Sequence, residues 1–175
     1  MVIETLAHAE ARGATPLAIL SGYGTSADAH HITAGPEDGS GAAAAIWSAL
    51  RMAGLAPDAI DHINAHATST PVGDRAEIAA LRNAFGDTLA GIPISATKAT
   101  TGHLLGAAGG VESIFSALAV IHDRLPPTLN LENADDDLQD LDFVRGSARE
   151  HRSQHVLCNG FGFGGVNAAL IVSKV

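Results

Sequence analysis

Two segments of the chain hold side chains suited to moving protons or holding a carbonyl oxygen, and a third sets two aromatic rings in a glycine frame. The first is Asn64-Ala65-His66-Ala67-Thr68-Ser69-Thr70-Pro71. It leaves an apolar stretch and reaches a proline where a helix can begin, and layered α/β proteins expose functional groups at that kind of junction. If the backbone stays extended from 66 to 70, period-2 geometry sends His66, Thr68 and Thr70 to one side, giving an imidazole and two hydroxyls on a wall suited to a polar ligand. A plainer reading stands beside it: the threonines cap the helix and His66 is a hydrogen-bonded core residue.

The second segment is Ser95-Ala96-Thr97-Lys98-Ala99-Thr100-Thr101-Gly102-His103, followed by a run of small residues from Gly106 to Gly110. The pattern predicts a helix starting near His103, whose positive dipole end would keep the imidazole neutral. A neutral imidazole donates one hydrogen bond and can hold a developing enolate oxygen. Glycine in a helix interior costs about 1 kcal/mol against alanine, so so many glycines point to close backbone packing or a special turn. Lys98 is either surface charge or a partly buried ammonium, with Glu112 on the following helix as its possible partner.

The third segment, Gly160-Phe161-Gly162-Phe163-Gly164-Gly165, has the spacing of a dinucleotide fingerprint but leads into a terminal strand, without the helix and distant acid that such a site needs. Phe161 and Phe163 either sit near an apolar ligand on a glycine-framed loop or fill the core below a tight hairpin turn. His62 and His66 have the spacing of a helical metal pair, but the stretch is strand-like and lacks the zinc-protease glutamate. With a single cysteine, Cys158, neither a metal centre nor a disulfide framework is expected, and no cofactor is implied.

The elements that must position these residues alternate. An apolar run at Leu17–Tyr23, closed by Gly22 and Gly24, reads as a strand, and Gly35–Gly41 as a loop. Ala42–Ala53 is a helix stopped by Gly54, Ala59–Ala67 a strand, and the stretch from Pro71 a helix with Ile78, Leu81 and Phe85 on one stripe. Ile92–Thr97 is a strand, a third helix carries Val111, Ile114, Phe115 and Leu118, and short strands follow near Asp142–Val144, Val156–Asn159 and Ala168–Ser173. Strand-helix alternation with added strands predicts an α/β layered domain with a mixed sheet, in one domain over 1–175.

Composition narrows the function classes. The 175 residues are 46% hydrophobic but only 4% aromatic, so the core is expected to form by close approach of backbones. A net charge of -9, with 10 basic residues against 19 acidic ones, argues against nucleic acid or an anionic membrane as partner. The first residues lack the bases of a signal peptide, no apolar run is read as long enough to cross a bilayer, and a cytoplasmic location is expected.

Taken together, NAHATSTPVGDRAEIAAL, SATKATTGHLLGAAGGVESIFSALAV and LCNGFGFGGVNAALIV closely resemble the carboxy-terminal half of β-ketoacyl-acyl-carrier-protein synthases, particularly the type II elongation enzymes. ETLAHAEARGA and GYGTSADAHHITAGPEDGSGAA resemble the stretches that precede the first histidine motif, so nearly the whole chain is covered. The resemblance implies a thiolase-like layered α/β fold, with a mixed five-stranded sheet flanked by helices. It also implies an acyltransferase of fatty acid or polyketide synthesis, catalysing decarboxylative Claisen condensation of malonyl-acyl-carrier protein with an acyl thioester. His66 and His103 match the two family histidines that hydrogen-bond the malonyl thioester carbonyl, Lys98 the lysine supporting the second, and Glu112 the acid beyond it. Thr68 and Thr70 match the threonines that contact the pantetheine arm; Phe163 matches the gating phenylalanine, with Phe161 on the same mobile loop.

Gly160 and Val166 depart from the Ser and Thr of many members. The family's nucleophilic cysteine belongs to an amino-terminal half, and Cys158 matches a different position. The resemblance therefore implies a chain with the two-histidine decarboxylation half of a site. Its partners would be an acyl-carrier protein bearing malonyl or acyl phosphopantetheine, and an amino-terminal half or second subunit, in an enzyme dimeric when complete. The alternatives are a non-catalytic scaffold subunit of the same fold and a truncated fragment.

Overall fold

In the computed structural model, which describes residues 1–175, a mixed five-stranded sheet carries helices on both faces. A short helix α1 (Leu6–Ala11) leads to strand β1 (Ile19–Ala27) and helix α2 (Ser40–Ala53); β2 (His62–Asn64), α3 (Pro71–Phe85) and β3 (Ile94–Ser95) follow. One turn of helix, α4 (Lys98–Thr101), precedes the long α5 (Ala108–His122). A two-residue ribbon, β4 (Arg124–Leu125) with β5 (Arg149–Glu150), stands apart, and the hairpin β6 (His155–Gly162) and β7 (Val166–Ser173) completes the sheet. The strand order is β1-β7-β6-β2-β3, with β6, β2 and β3 parallel and β7 antiparallel to both β1 and β6.

Helices α2 and α3 cover one face of the sheet, where Ile46, Leu50, Ile63, Leu81, Leu157 and Ile171 form the main core. On the other face α5 packs over β6 and β7, with Val120, Val156 and Val172 in a smaller cluster. The expected backbone-to-backbone packing is realised at β1. Gly22 and Gly24 lie inside this strand and do not close it: a Cβ at either position would overlap a carbonyl oxygen of α2, that of Ala49 or of Ala45. α2 accordingly presents Ala43, Ala45 and Ala49, all fully buried. Gly54 ends α2 with a left-handed φ of 67°, where a Cβ would be strained.

Several boundaries differ from the sequence reading. β2 and β3 are only three and two residues long, because each gives way at once to site-bearing turns. Asp142–Val144 makes a single parallel bridge, Ile94 to Phe143, in place of a strand. The glycines around α5 face open space at 106, 109 and 110, so nothing within this chain approaches them closely. One helical run, Leu105–His122, does reach 18 residues at a mean hydropathy of 1.4, contrary to the expectation from the sequence. It carries the ion-paired Glu112 and packs one side on β6 and β7 of the sheet.

Candidate active site

The parallel strands β6, β2 and β3 end on the same edge of the sheet, the place where open α/β sheets collect ligands. His66 follows β2 by two residues. Its backbone is fixed by Glu77 of α3, whose buried carboxylate accepts from the N–H groups of His66 at 2.9 Å and Ala67 at 2.8 Å, and from Asn159 Nδ2 at 3.0 Å. Burial pushes the Glu77 carboxyl up, opposed by these hydrogen bonds and more weakly by Lys98. Glu77 was missed from the sequence, although an acid on the buried stripe Glu77-Ala80-Leu81-Ala84 is the signal that could have found it.

The His66 ring is half-buried; burial first, then the charge of Lys98 and the neighbouring His103, hold its pKa down to about 3, so it is neutral. Its Nδ1 is buried without a hydrogen-bond partner. The His103 ring stands against it at 5.5 Å between centroids and 86° between planes. The helix does not begin at His103, as the pattern predicted: α4 ends at Gly102 with φ 73°, a short 3-10 turn covers Leu105–Ala107, and α5 starts at Ala108. The dipole argument therefore falls away at this residue. Instead the His103 Nδ1 accepts from the Leu105 N–H at 3.3 Å, which leaves Nε2 as the protonated nitrogen of the neutral ring.

Lys98 is not surface charge. Its Nζ lies 2.5 Å from Glu112 Oε1, with the two side chains 5% and 2% exposed. Burial raises the Glu112 carboxyl against the pull of Lys98. Asn64 ties the same region together: its Nδ2 donates to the Glu112 carbonyl at 3.2 Å and its Oδ1 accepts from Thr97 Oγ1 at 3.3 Å.

Thr68 and Thr70 do come together, their hydroxyls 3.1 Å apart, but through a turn at Ser69 with φ 62° and not along an extended chain. Thr70 is the N-cap of α3 but makes no side-chain capping bond. Thr68, Thr70, Lys98 and His103 line a cavity of about 900 Å³, together with the apolar Ile78 and Phe143. His66 and the two phenylalanines are not part of that lining. Phe161 is a residue of β6 and not of a loop; it packs on the main core and meets the His66 ring at 5.9 Å. Phe163, at the hairpin turn, is 79% exposed. The turn needs glycine at 164 and 165, where φ is 82° and 75°, and the Gly164 N–H to Ile32 carbonyl bond of 2.7 Å ties it to the loop after β1. His62 is engaged elsewhere, its Nε2 2.5 Å from Ser95 Oγ.

Residues 17–132 match the family model described as the C-terminal domain of beta-ketoacyl synthase. The chain belongs to the β-ketoacyl synthase family. Among curated proteins, this synthase-family chain is 46% identical over 175 residues to 3-oxoacyl-[acyl-carrier-protein] synthase 2 of Coxiella burnetii, covering 100% of itself and 42% of that protein. It is 47% identical over 177 residues to the mitochondrial 3-oxoacyl-[acyl-carrier-protein] synthase of Arabidopsis thaliana, covering 38% of it. Among solved structures, a beta-ketoacyl synthase from Burkholderia phymatum STM815 superposes with a TM-score of 0.91 at 40% identity, over 98% of this chain and 41% of that one. A ketosynthase complex with its type II PKS acyl-carrier protein gives 0.93 at 34% identity, over 98% and 42%. The thiolase-like ketosynthase fold is thereby shown, in a chain that spans about two fifths of the length of these relatives.

Proposed function

We propose that this chain supplies the enolate-stabilising part of a decarboxylative condensation in fatty acid or polyketide synthesis, acting on malonyl-acyl-carrier protein in the cytoplasm. The observation that carries the reading is the perpendicular pair His66 and His103, 5.5 Å between ring centroids. Two neutral imidazoles can each donate one hydrogen bond to a thioester oxygen. As carbon dioxide leaves, the electrons of the breaking C–C bond pass to that oxygen, and fixed donors stabilise the charge best there. Lys98, paired with Glu112, holds positive charge behind the site and disfavours an imidazolium at His66. Thr68 and Thr70 contact the pantetheine arm along the cavity wall, and Phe161 and Phe163 border the acyl side.

The cysteine that carries the acyl group comes from an amino-terminal half or partner subunit, in an assembly that is dimeric when complete. The outer side of α5 supports this: Ile114 and Leu118 are exposed there, and Gly109 and Gly110 face open space beside them. The relatives, of which this chain spans 42%, have the additional length that such a half requires.

The test is decarboxylation of a malonyl thioester by the chain with and without the complementary amino-terminal half of a relative. His66→Ala and His103→Ala should each lower the rate about a hundredfold or more. An unchanged rate in both variants, with the fold intact, overturns the assignment.

A further inference from the structure

His62 takes no part in the chemistry above, yet it opens β2, between β6 and the edge strand β3, with its side chain fully buried. Its Nε2 lies 2.5 Å from Ser95 Oγ, and its Nδ1 is buried with no partner. The neutral form that strands no donor carries its proton on Nε2 and gives it to the serine oxygen. Ser95 is one of only two residues of β3, and it stands in register with Asn64. The backbone ladder is short, with two registered pairs, and it is extended by the Ile63 N–H bond to Pro93 O at 3.0 Å and the Ala65 N–H bond to Ser95 O at 2.8 Å. A side-chain clamp across so short a ladder therefore provides a large share of its strength. The two strands run directly into His66 and into Thr97–Lys98.

The groups facing His62 offer no counter-charge. Arg149 of β5 and His151 just after it both disfavour a positive imidazole, and Arg149 is already paired with Asp142, at 2.5 and 2.9 Å. No carboxylate pairs with the ring, and a proton added at Nδ1 would have no acceptor. Burial, followed by these two neighbours, holds the His62 pKa at about 3.

We propose that His62 is a positioning residue of the two-histidine site: its bond to Ser95 clamps β2 to β3, and mild acid raises the minor population in which the clamp is open and the strand ends that carry His66 and Lys98 are freed. In an opened β2–β3 segment the ring titrates near its ordinary value of about 6.5, so below that pH the opened population rises about tenfold per unit. The reading of the site as a ketosynthase half supplies only the consequence for activity, an acid limb in the decarboxylation rate. The clamp itself is tested without activity.

Hydrogen exchange, corrected for the intrinsic pH dependence of the chemistry, is measured on the whole chain between about pH 7 and about pH 5. His62→Phe, which cannot titrate, is compared with wild type and with Ser95→Ala. In wild type the Ile63 and Ala65 amides should lose protection about tenfold per unit below about pH 6.5, while the β6–β7 amides should not follow. His62→Phe should flatten that slope, and Ser95→Ala should lower protection of the two amides at every pH. Should the phenylalanine variant fail to fold, His62→Tyr is the second non-titrating replacement. An equal slope in wild type and the non-titrating variant, or a slope abolished only by His66→Asn, overturns the proposal. Normal exchange behaviour combined with absent decarboxylation would instead fault the ketosynthase reading.

Discussion

Replacing Lys98 with methionine keeps most of the stem volume and removes the ammonium from a pair whose side chains are 5% and 2% exposed. Glu112 then remains buried, with Oε2 already lacking a partner. Removing one member of a buried pair costs about 3–5 kcal/mol, because the remaining charge has lost both water and counter-ion. The carboxyl can escape this by taking a proton. Its pKa is raised by burial even with Lys98 present, and without Lys98 only burial and Glu77, which raise it, remain.

The sign follows from that direction. A carboxyl whose pKa is higher folded than unfolded is destabilising above its unfolded value, and the loss grows as pH rises, by about 1.4 kcal/mol per unit until the variant ionises in the folded state. Lys98→Met should therefore lie close to wild type near pH 5 and lose about 3–5 kcal/mol by pH 8. The double variant Lys98→Met with Glu112→Leu, which removes both charges, should recover most of the loss at all pH values. Urea unfolding followed by circular dichroism across this range measures each difference against wild type at the same pH. A Lys98→Met loss below about 1 kcal/mol throughout, or one that does not change with pH, would refute the claim that this is a desolvated pair.

Glu77→Gln should lower stability by about 1–3 kcal/mol in urea titrations, since an amide offers one acceptor oxygen to N–H groups that now share two and turns its own N–H₂ toward one of them. Gly24→Ala should cost about 1–3 kcal/mol or prevent folding, because its Cβ overlaps the Ala45 carbonyl, whereas Gly160→Ala should be neutral or slightly stabilising since its Cβ meets nothing. Cys158 should resist a thiol reagent until the chain is unfolded, its thiol being buried and pushed up to about 12.

Much of the fold was legible in the sequence because its long elements are periodic. The stripe Ile78, Leu81 and Phe85 gave α3, Gly54 gave the end of α2, and the alternation of strands and helices gave the mixed sheet. β2 and β3 were overestimated because their apolar character continues into Ala65, Ala67 and Ala96, where the backbone has already left the ladder. The residues of the site were legible as types and as family positions, but their support was not. Placing His103 at a helix start failed because Gly102, with its left-handed φ, and the 3-10 turn at Leu105 detach it from α5. Glu77 was missed because its partners are the backbone of His66 and the side chain of Asn159, contacts set by tertiary packing and by no local spacing.

The polar layer beneath the two histidines runs against the stability of the fold. Glu77, Asn64, Asn159, Lys98 and Glu112 are all less than a tenth exposed, between sheet and helices where apolar residues of similar volume would pack without desolvation cost. Glu77 holds the backbone of His66 to α3, while the Lys98–Glu112 pair and Asn64 hold the turn before His103 to α5 and β2. The two rings thus sit on segments that follow different strands, and each segment is anchored to a different helix. An apolar layer would leave their separation to the turns at Ser69 and Gly102, where φ is 62° and 73°. Hydrogen-bond donors aimed at one developing charge must keep their spacing to a fraction of an ångström, and directional polar contacts supply that precision where packing alone does not.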